Sequence, residues 1–567
     1  MDDNLKFKEK ILENAIKHKG DANVKFIFGA ILKDFPEWRS KINELKEVLS
    51  PIVDEINKLS LDEQKEELKK INPGFFNKEK EERNIFAFLN IKEGEKVVSA
   101  FPPSPEKHYH IGHAKGILLN YLLAKQYNGK FHLRFEDTNP KNVKPEFYQV
   151  MQDDISWLGV KWDKLIYASD HIQTLIDFAE KLIIKNQAYV CFCSPEEMSE
   201  NRNKKQSCAC RNKSPQENLI DWEKMKKDME EGKASLRLKI DMSHKNARMR
   251  DPTIFRIIDA EHPRHGYKFR LFPTYDFQNS VLDGYFGVTH RLRTVEFEMA
   301  SELHHYIRKL LGLYDTTTYE FSRLNLEGML SSGRVIREKV ESGELIGWDD
   351  PSLPTLTSLK RRGFSPKAME DMLVETGITK SSGSTLTWDS LIKCNKRVLN
   401  DTSKRFFLVK DPIEIIIKND PKQKYSLSVH PNLDLGKRDF VSNGTYLIEK
   451  EDFDSFKEGQ LIRLMDNLNF RFKDLDNLEF ESIDYMDFKK EENSNKKIIH
   501  FLPKDNSQLV DVTVFTPEHE LIKTKAEKHI SQLEVGEVIQ FERFGFCRLD
   551  SIEEVDGNKV YNFWFTH

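Results

Sequence analysis

Three prolines directly after a short apolar segment are the feature of this sequence that most constrains its fold. Residues 97–101 have the mostly apolar character of a strand, and three of the next four residues are prolines, which prevent the strand from continuing. A helical pattern opens at Gly112 and stops at Asn128, and a second strand pattern covers residues 131–135. Strand, turn, helix and strand in this order predict a right-handed crossover and a parallel sheet. Ligands of such sheets bind at the carboxyl ends of the strands.

The start of this helix carries the first candidate site. His110, Gly112 and His113 lie where free backbone N–H groups favour anions. Gly112 would let an adenine or a ribose approach the backbone, and the two imidazoles can donate to phosphate oxygens as a pentavalent transition state forms. The alternative is a capped surface helix with two histidines in solvent, and the pattern H-x-G-H alone leaves that alternative open.

The longer string F-P-P-S-P, HIGHAK and RFEDTNP, within residues 101–140, resembles the first signature of class I aminoacyl-tRNA synthetases. Within that class it is similar to the glutamyl and glutaminyl enzymes, and the N-terminal region resembles the extension of archaeal-type glutamyl enzymes. The resemblance continues in order along the chain at PTYDF (273–277), GVTHRLRTVEF (287–297), GWDDPSLPTL (347–356), RRGFSP (361–366), HPNLDLGKR (430–438) and QFERFGFCRLD (540–550). These colinear blocks span nearly the whole chain.

The resemblance implies a multidomain α/β protein. It has a class I Rossmann-like catalytic domain with an inserted acceptor-binding domain, helical N-terminal and connecting domains, and C-terminal β-barrel anticodon-binding domains. The length of 567 residues is sufficient for several domains. The predicted divisions are 1–92 (helical N-terminal domain), 93–190 (first catalytic half), 191–272 (inserted domain), 273–335 (second catalytic half), 336–410 (helical connecting subdomain) and 411–567 (β-barrel domains).

Composition narrows the class of protein without identifying it. A hydrophobic content of 38% and a charged content of 32% are typical of a globular protein. The net charge of -4 gives no global basic signal, so a tRNA surface must be a local patch. The sequence has neither an apolar run near 18 residues nor a signal-peptide pattern, which predicts a cytoplasmic protein without a membrane span. We also expect a monomer.

Four of the six cysteines form two closely spaced pairs. Cys191 and Cys193 are separated by fourteen residues from Cys208 and Cys210. Four thiolates in this arrangement can hold one structural Zn²⁺ with no open coordination position. Both pairs are C-x-C rather than the commoner C-x-x-C, so four free cysteines are the alternative. A related zinc site in some glutamyl enzymes favours the metal.

The family resemblance also suggests the amino-acid pocket. Glutamyl enzymes carry Arg three residues after the His of the GVTH block, where glutaminyl enzymes tend to carry Cys, and this chain has Arg293 there. A cation is the chemistry that selects the glutamate side chain over that of glutamine. Tyr275 and Asn279 match positions that face the amino acid, and Glu136 matches a residue that holds its ammonium group. The alternative for Arg293 is a structural ion pair at a strand end.

The second signature of the family, KMSKS, is replaced by MLSSGR at residues 329–334. Ser332 occupies the position of the usual triphosphate-binding lysine. Arg334 or Arg337 could supply the missing charge, and Ser331, Ser332 and the following glycine suit a mobile phosphate clamp. They would equally suit a plain turn.

Two further departures fall in the first signature. Most relatives carry Arg immediately before F-P-P, where it grips the substrate, but this chain has Ala100. A second cation is therefore missing or supplied by another part of the chain. Glu106 and Lys107 replace a small residue followed by Gly.

Cations are the expected contacts for tRNA phosphates. In the inserted domain the candidates are Arg237, Lys239, Arg248, Arg250, Arg256 and Arg270. In the β-barrel domains they are Lys437, Arg438, Arg463, Arg471 and Arg543. A solvated surface charge is the alternative for each.

The resemblance implies a glutamate–tRNA ligase that forms glutamyl-adenylate from glutamate and ATP and transfers the glutamyl group to tRNA-Glu, with tRNA-Gln left open as a second acceptor. ATP would contact Pro103, His110, His113 and Ser332, and Mg²⁺ would accompany it. The alternatives are a glutaminyl enzyme, which Arg293 disfavours, and a non-catalytic tRNA-binding relative, which the departures at Ala100 and Ser332 motivate.

Overall fold

The computed structural model describes residues 3–17, 20–23, 27–29, 31–32, 35, 37–38, 41–73, 75, 84–324, 330, 332–380, 387–475 and 477–567. The chain forms two compact units, Met1–Asn84 and Ile85–His567. The first unit contains helices α1 (Asp3–Lys17), α2 (Ile42–Ile56) and α3 (Leu61–Ile71). Apolar residues of all three helices form its core, including Phe7, Ile11, Leu45, Leu49, Ile56 and Leu68. A capping box between Ser60 and Glu63 starts α3.

The second unit opens with the parallel sheet that the sequence predicts, interrupted by a smaller antiparallel sheet. Its elements up to residue 321 are β1 (Val98–Phe101), α4 (Ile111–Gln126), β2 (Lys130–Phe135), α5 (Pro145–Trp157), β3 (Lys164–Tyr167), α6 (Ile172–Ile184), β4 (Ala188–Cys191), α7 (Pro195–Lys204), α8 (Pro215–Lys227), β5 (Ser235–Leu238), β6 (Thr253–Ile257), β7 (Leu271–Pro273), α9 (Tyr275–Tyr285), β8 (His290–Thr294), α10 (Glu298–Leu311) and β9 (Thr317–Phe321).

The parallel sheet has the strand order β3-β2-β1-β8-β9, and every neighbouring pair is parallel. The prediction of a Rossmann-like parallel sheet is therefore confirmed. The direction of winding reverses between β1 and β8, which is the point where ligands of open α/β sheets bind. The antiparallel sheet β4-β5-β6-β7 comes between β3 and β8 in the chain.

The turn from α4 back into the sheet depends on one glycine. A Cβ at Gly129 would lie within contact distance of the Val97 carbonyl oxygen, and the amide of Lys130 donates to that same oxygen at 2.9 Å. The helix end therefore passes close enough to β1 for β2 to pair with it in parallel. This fixes the first crossover at the position expected from the Asn-Gly pair.

The remainder of the chain is a helical segment followed by two β-rich regions. Its elements are α11 (Gly333–Glu341), α12 (Leu356–Arg362), α13 (Pro366–Thr376), α14 (Trp388–Asn400), β10 (Arg405–Phe406), β11 (Leu408–Val409), β12 (Pro412–Lys418), β13 (Lys424–Ser428), β14 (Lys437–Val441), β15 (Thr445–Glu449), α15 (Lys450–Asp454), β16 (Leu461–Leu464), β17 (Asn469–Asp474), β18 (Asn477–Ser482), α16 (Tyr485–Lys490), β19 (Lys496–Ile499), β20 (Leu502–Pro503), β21 (Leu509–Phe515), β22 (Leu521–Glu527), β23 (Val538–Phe541), β24 (Gly545–Val555) and β25 (Asn558–Phe565).

Each of the two C-terminal sheets is nearly closed into a barrel. In each sheet, one short segment of chain forms both edge strands. The order β10-β23-β24-β25-β21-β22-β11 places the consecutive strands β10 and β11 at opposite edges of one sheet, and β19-β16-β17-β18-β12-β15-β20 does the same with β19 and β20. A segment that pairs with both edges removes them, as in a barrel. The predicted C-terminal β architecture is confirmed. Among the described helices, none is both long and apolar enough to cross a bilayer.

Candidate active site

The two histidines of the first signature cap the helix that follows them. His110 is the N-cap of α4, and its Nδ1 accepts from the amide of Gly112 at 3.0 Å. The Nδ1 of His113 accepts from the amide of His110 at 3.2 Å. An imidazole that accepts at Nδ1 carries its proton on Nε2 when it is neutral. Both rings therefore keep an Nε2–H available for donation to another group.

Both imidazoles are neutral at physiological pH. Burial, followed by the nearby cations Lys107 and Arg323, lowers the pKa of His110 to about 4. Burial, together with the His110 ring and the same two cations, holds the pKa of His113 well below its usual value. The ring centroids lie 4.0 Å apart. The pair can thus donate hydrogen bonds to phosphate oxygens, whereas positive charge must come from other residues.

Gly112 provides room for the ring of His110. A Cβ at this position would lie 2.7 Å from Cε1 of His110. Any larger residue would displace the ring that caps the helix. The structure thus gives Gly112 a role within the protein, while its predicted role in admitting a nucleotide stays a prediction.

The first signature is also paired with the block at residues 347–356. The amide of Ile111 donates to the carbonyl of Pro354 at 3.1 Å, and the amide of Leu356 donates to the carbonyl of Tyr109 at 2.9 Å. These two bonds hold His110 in a bridge with Thr355. Two sequence blocks that are distant along the chain are therefore one backbone unit beside the histidines.

A buried network of charges joins the carboxyl end of β2 to the beginning of β8 and to α9. Arg134 donates to Asp283 at 2.8 Å and to Glu136 Oε1 at 3.0 Å. The Asn279 amide donates to the same Glu136 oxygen at 2.7 Å. Arg291 forms a second ion pair with Asp283. Residues from two strands and α9 are thus joined into one hydrogen-bonded unit.

The network leaves Glu136 with an unused acceptor. Its Oε2 atom accepts no hydrogen bond from the residues that the structure describes, while Oε1 accepts two. Burial raises the pKa of Glu136, and Arg134 and Arg291 oppose that rise. Burial also opposes ionisation of Asp283, but Arg291 and Arg134 outweigh it and lower its pKa to about 2.

The backbone of Pro103 joins the turn after β1 to this network. The carbonyl of Pro103, which is buried, accepts from the amide of Glu136 at 2.7 Å. The predicted nucleotide contact and the predicted ammonium contact are therefore adjacent.

Ala100 lies beneath the bridge between the two arginines. It pairs with His132 on β2, so that it shares a face of the sheet with Arg134, and the register of β1 with β8 places Arg291 on that same face. Asp283 joins the two guanidinium groups across β1. Arg291 is therefore a buried cation on the strand next to Ala100, already paired with Asp283, and sequence reasoning missed it.

Arg293 is buried without a carboxylate partner. Its Nη1 contacts Nδ1 of His304 at 3.1 Å, and its Nη2 donates to the hydroxyl of Ser301 at 2.5 Å. Within the described parts of the chain, no Asp or Glu oxygen lies within the 4.0 Å of an ion pair, and Nε has no partner. The geometry therefore gives no support to the alternative of a structural ion pair.

Tyr275 lies between the acidic and basic parts of this pocket. Its ring packs at 5.5 Å from Phe297 and at 5.7 Å from His304, measured between ring centroids. Burial and the nearby Glu136 carboxylate raise its pKa, while Arg293 opposes the rise. The structure thus brings together the four residues that the sequence predicts for the amino acid: Glu136, Tyr275, Asn279 and Arg293.

The end of the second signature lies against the first. Ser332 is the N-cap of α11 and is exposed, and Arg334 is exposed and pairs with Glu338 at 3.4 Å. Ser331 lies outside the described residues. The Lys107 Cδ would be 3.6 Å from a Cβ at Gly333. Lys107 of the first signature therefore approaches Gly333, and sequence reasoning identified it only as a departure from the family pattern.

The four clustered cysteines converge as predicted. Their Sγ atoms all lie within 4.8 Å of one another, and those of Cys191 and Cys208 are 3.7 Å apart. Four thiolates at the usual zinc–sulfur distance form a tetrahedron with edges of about 3.8 Å, so the donor set fits Zn²⁺. Arg237 donates to Cys191 Sγ at 3.6 Å and is 1% exposed. The interpretation of Arg237 as a surface contact for tRNA is therefore wrong.

Several cations predicted to contact tRNA are engaged within the protein. Arg438 is buried and pairs with Glu527 at 2.8 Å, and Arg543 makes a two-pronged contact with Asp452. The sequence could not separate these arginines from solvated ones, because their partners are 89 and 91 residues away.

Comparison with known proteins identifies the family. The family model described as tRNA synthetases class I (E and Q), catalytic domain, matches residues 96–401, and two models of the anticodon-binding domain of the same enzymes match residues 403–489 and 462–550. The glutamate–tRNA ligase of Methanocaldococcus jannaschii is 38% identical and aligns over 95% of this chain and 96% of its own length. The glutamate–tRNA ligase of Pyrococcus abyssi is also 38% identical, over 97% of this chain and 97% of its own length. That of Pyrococcus furiosus is 38% identical over 96% of this chain and 96% of its own length. The chain therefore belongs to the class I tRNA synthetases for glutamate and glutamine, among the glutamate–tRNA ligases.

Proposed function

We propose that this chain attaches glutamate to the 3′ end of tRNA-Glu at the expense of ATP, with the amino acid bound between Glu136 and Arg293. The observation that carries this proposal is the buried guanidinium of Arg293, which contacts only neutral groups among the described residues. A buried cation without an anion is unfavourable. The γ-carboxylate of glutamate would pair with it, whereas the side-chain amide of glutamine would not.

The opposite end of the pocket suits an ammonium group. Glu136 has a free Oε2, and its other oxygen is held by Arg134 and Asn279. A substrate ammonium would donate to Oε2 and stabilise the ionised carboxylate that burial disfavours. With the ammonium and the γ-carboxylate both held, the orientation of the α-carboxylate, which shares its carbon with the ammonium, would be fixed as well.

In the first step, an oxygen of the α-carboxylate attacks the α-phosphorus of ATP. The new P–O bond forms as the bond to the β-phosphate oxygen breaks, giving glutamyl-adenylate and pyrophosphate. Nε2–H groups of His110 and His113 would donate to phosphate oxygens, in the orientation that the backbone amides of Gly112 and His110 impose. No side-chain nucleophile is required, so catalysis is positioning and electrostatic stabilisation.

Positive charge for the triphosphate would come from Lys107 and the residues around Arg334. Lys107 lowers the pKa of both histidines, which places its charge near them. Mg²⁺ would enter with ATP and supply further positive charge to the triphosphate. In the described part of the chain, the groups of acidic, His and Cys side chains suited to hold a metal lie away from the histidines. Phosphate oxygens and water are therefore the expected ligands of Mg²⁺.

In the second step, a hydroxyl of the terminal ribose of tRNA attacks the carbonyl carbon of glutamyl-adenylate. The ester bond forms, the bond to the adenylate oxygen breaks, and AMP leaves. The inserted region 191–272 would receive the acceptor stem, with Cys191, Cys193, Cys208 and Cys210 holding a structural Zn²⁺. Residues 411–567 would bind the anticodon.

The decisive experiment is aminoacylation with radiolabelled glutamate and, separately, glutamine on purified tRNA-Glu and tRNA-Gln. Glutamate on tRNA-Glu alone is the result expected of a discriminating enzyme. Glutamate on both tRNAs would extend the acceptor range to tRNA-Gln. Attachment of glutamine to tRNA-Gln would refute the proposed role of Arg293. Absence of glutamate-dependent ATP–pyrophosphate exchange with tRNA present would refute the proposal that the chain is an enzyme.

A further inference from the structure

Two neutral side chains contact the guanidinium of Arg293. Each of them also forms a hydrogen bond with a carboxylate. On the first side, Nδ1 of His304 faces Nη1 of Arg293 at 3.1 Å, and Nε2 of His304 faces Asp276 Oδ1 at 2.9 Å. Because the carboxylate accepts a hydrogen bond from Nε2–H, Nδ1 carries no proton and is left as an acceptor for the arginine. His304 is 2% exposed, so this tautomer is fixed by its two partners rather than by water.

The second side repeats the arrangement with a hydroxyl. The Oγ atom of Ser301 accepts from Nη2 of Arg293, and its own hydrogen goes to Glu320. Glu320 is 5% exposed. Each direct partner of Arg293 is therefore neutral, and each is oriented by an acidic group one step further away.

The two remote carboxylates have cations of their own. Asp276 accepts from Arg248 at 3.1 Å, and Glu320 lies 3.3 Å from the ammonium of Lys380. Each acid thus has a cation partner besides the neutral side chain that it orients. Among the described residues, Arg293 forms no ion pair of its own, although Glu320 is its cross-strand neighbour on β9 and its position is determined at two nitrogens.

This arrangement fixes the orientation of the Arg293 side chain and leaves its positive charge available to a substrate. A carboxylate bonded directly to Arg293 would hold the side chain firmly, but it would also neutralise the guanidinium and compete with a substrate carboxylate. Apolar neighbours would leave the charge available but would not orient it. Neutral hydrogen-bond acceptors that are themselves fixed by outer carboxylates satisfy both requirements.

We infer that Ser301 and His304 are positioning residues that hold Arg293 with its charge free, and that they thereby set the preference for glutamate over glutamine. This inference rests on the proposed function of the pocket. It assigns selectivity to two residues that act through Arg293, and to the neutrality of those residues rather than to their size.

Ser301→Asp tests the inference because it places a carboxylate where the hydroxyl contacts Arg293. We expect the KM for glutamate to rise by at least about 30-fold, the size of a lost charge-assisted bond, with kcat and the KM for ATP within a few-fold of the parent. The preference for glutamate over glutamine in ATP–pyrophosphate exchange with tRNA present should fall by a similar factor. Ser301→Asn is the matched control of similar size without charge, and its KM should change by less than about 5-fold.

A second pair of variants tests the histidine. His304→Gln retains an acceptor for Arg293 and should keep the preference for glutamate, whereas His304→Phe removes the acceptor and should reduce it by about 10-fold. Thermal unfolding of all four variants shows whether each is folded. If Ser301→Asp and Ser301→Asn behave alike while the parent charges glutamate, the inference is refuted and the proposed function stands. If the folded parent does not activate glutamate, the proposed function itself is refuted.

Discussion

Lys107 lies beside Gly333, so that the turn after β1 meets the start of α11 next to the two signature histidines. The ammonium of Lys107 makes no hydrogen bond or ion pair with any residue that the structure describes. It also acts on both signature histidines, whose pKa values it lowers. A cation in this place can compensate for the serine that occupies the usual lysine position at Ser332.

Replacing Lys107 should therefore affect ATP more than glutamate. For Lys107→Ala we expect the KM for ATP to rise about 10-fold, since one charge-assisted contact with phosphate is lost. The KM for glutamate should stay within 2-fold to 3-fold of the parent. Lys107→Arg, which keeps the charge, is the control and should retain most of the ATP affinity. Equal ATP affinity in the alanine variant and the parent would exclude Lys107 from the triphosphate site.

His110→Asn separates the two roles of His110. Asparagine is a favourable N-cap, so the helix should lose less than about 1 kcal/mol of stability. The shorter side chain cannot present an Nε2–H to phosphate, and we expect kcat for adenylate formation to fall by about 10²-fold to 10³-fold. Urea unfolding and ATP–pyrophosphate exchange measure the two effects. A large loss of stability with unchanged kcat would assign His110 to capping alone.

Buried histidines should make the protein less stable in mild acid. Burial lowers the pKa of His132 and of His304 to about 4, against an ordinary value of 6.5. As the pH falls below 6.5 the unfolded chain binds protons that the folded chain does not, so stability falls until about pH 4. Each histidine contributes at most about 3 kcal/mol to this loss.

Urea unfolding at pH 7.5, 6 and 5 measures the loss, and His132→Leu provides the control. Neither ring nitrogen of His132 has a partner in the described structure, so leucine sacrifices no hydrogen bond. The variant should lose less stability than the parent between pH 7.5 and pH 5. An identical pH dependence in both proteins would show that His132 titrates normally.

The cysteine cluster should bind one zinc ion per chain. We expect elemental analysis of the purified protein to find one Zn²⁺, and a strong chelator to lower the melting temperature, because a closed four-thiolate site links the ends of its segment. Cys208→Ser should abolish stoichiometric binding. Cys394→Ser changes a buried cysteine outside the cluster and should leave the zinc content unchanged. Four reactive thiols and no metal after reconstitution with zinc would instead support free cysteines.

Local patterns predicted the parts of the site that depend on neighbours in the chain. The strand, prolines and helix start placed His110 and His113 correctly, because an N-cap and its N3 partner are three residues apart. The spacing of the four cysteines likewise predicted that their thiols would converge. The partners of Arg134 and Arg291 were beyond reach, since Asp283 lies 149 residues from Arg134 and the pair forms only when α9 packs on the sheet. The neutral partners of Arg293 are nearer, 8 and 11 residues along the chain on α10, but the carboxylates that orient them come from α9 and β9 and carry no local signal.

Asp283→Asn, in α9, should be strongly destabilising because Asp283 joins two strands of the parallel sheet. The carboxylate is 2% exposed and serves both Arg134 and Arg291, so its loss leaves Arg291 without a carboxylate among the described residues and Arg134 with Glu136 alone. Breaking a buried pair in this way costs about 3 to 5 kcal/mol. Asp259→Asn breaks the exposed pair with Arg270 and should cost less than about 1 kcal/mol.

The double variant Asp283→Asn with Arg291→Met tests whether uncompensated charge is the cause. The second substitution eliminates Arg291, the cation that Asp283→Asn leaves without a carboxylate, and replaces it with an apolar side chain of similar length. We therefore expect urea unfolding to show the double variant as more stable than Asp283→Asn alone, even though it carries two substitutions. Additive losses would mean that Arg291 stabilises the sheet independently of Asp283. In that case Asp283 would form two independent ion pairs, with Arg134 and with Arg291, rather than one coupled unit.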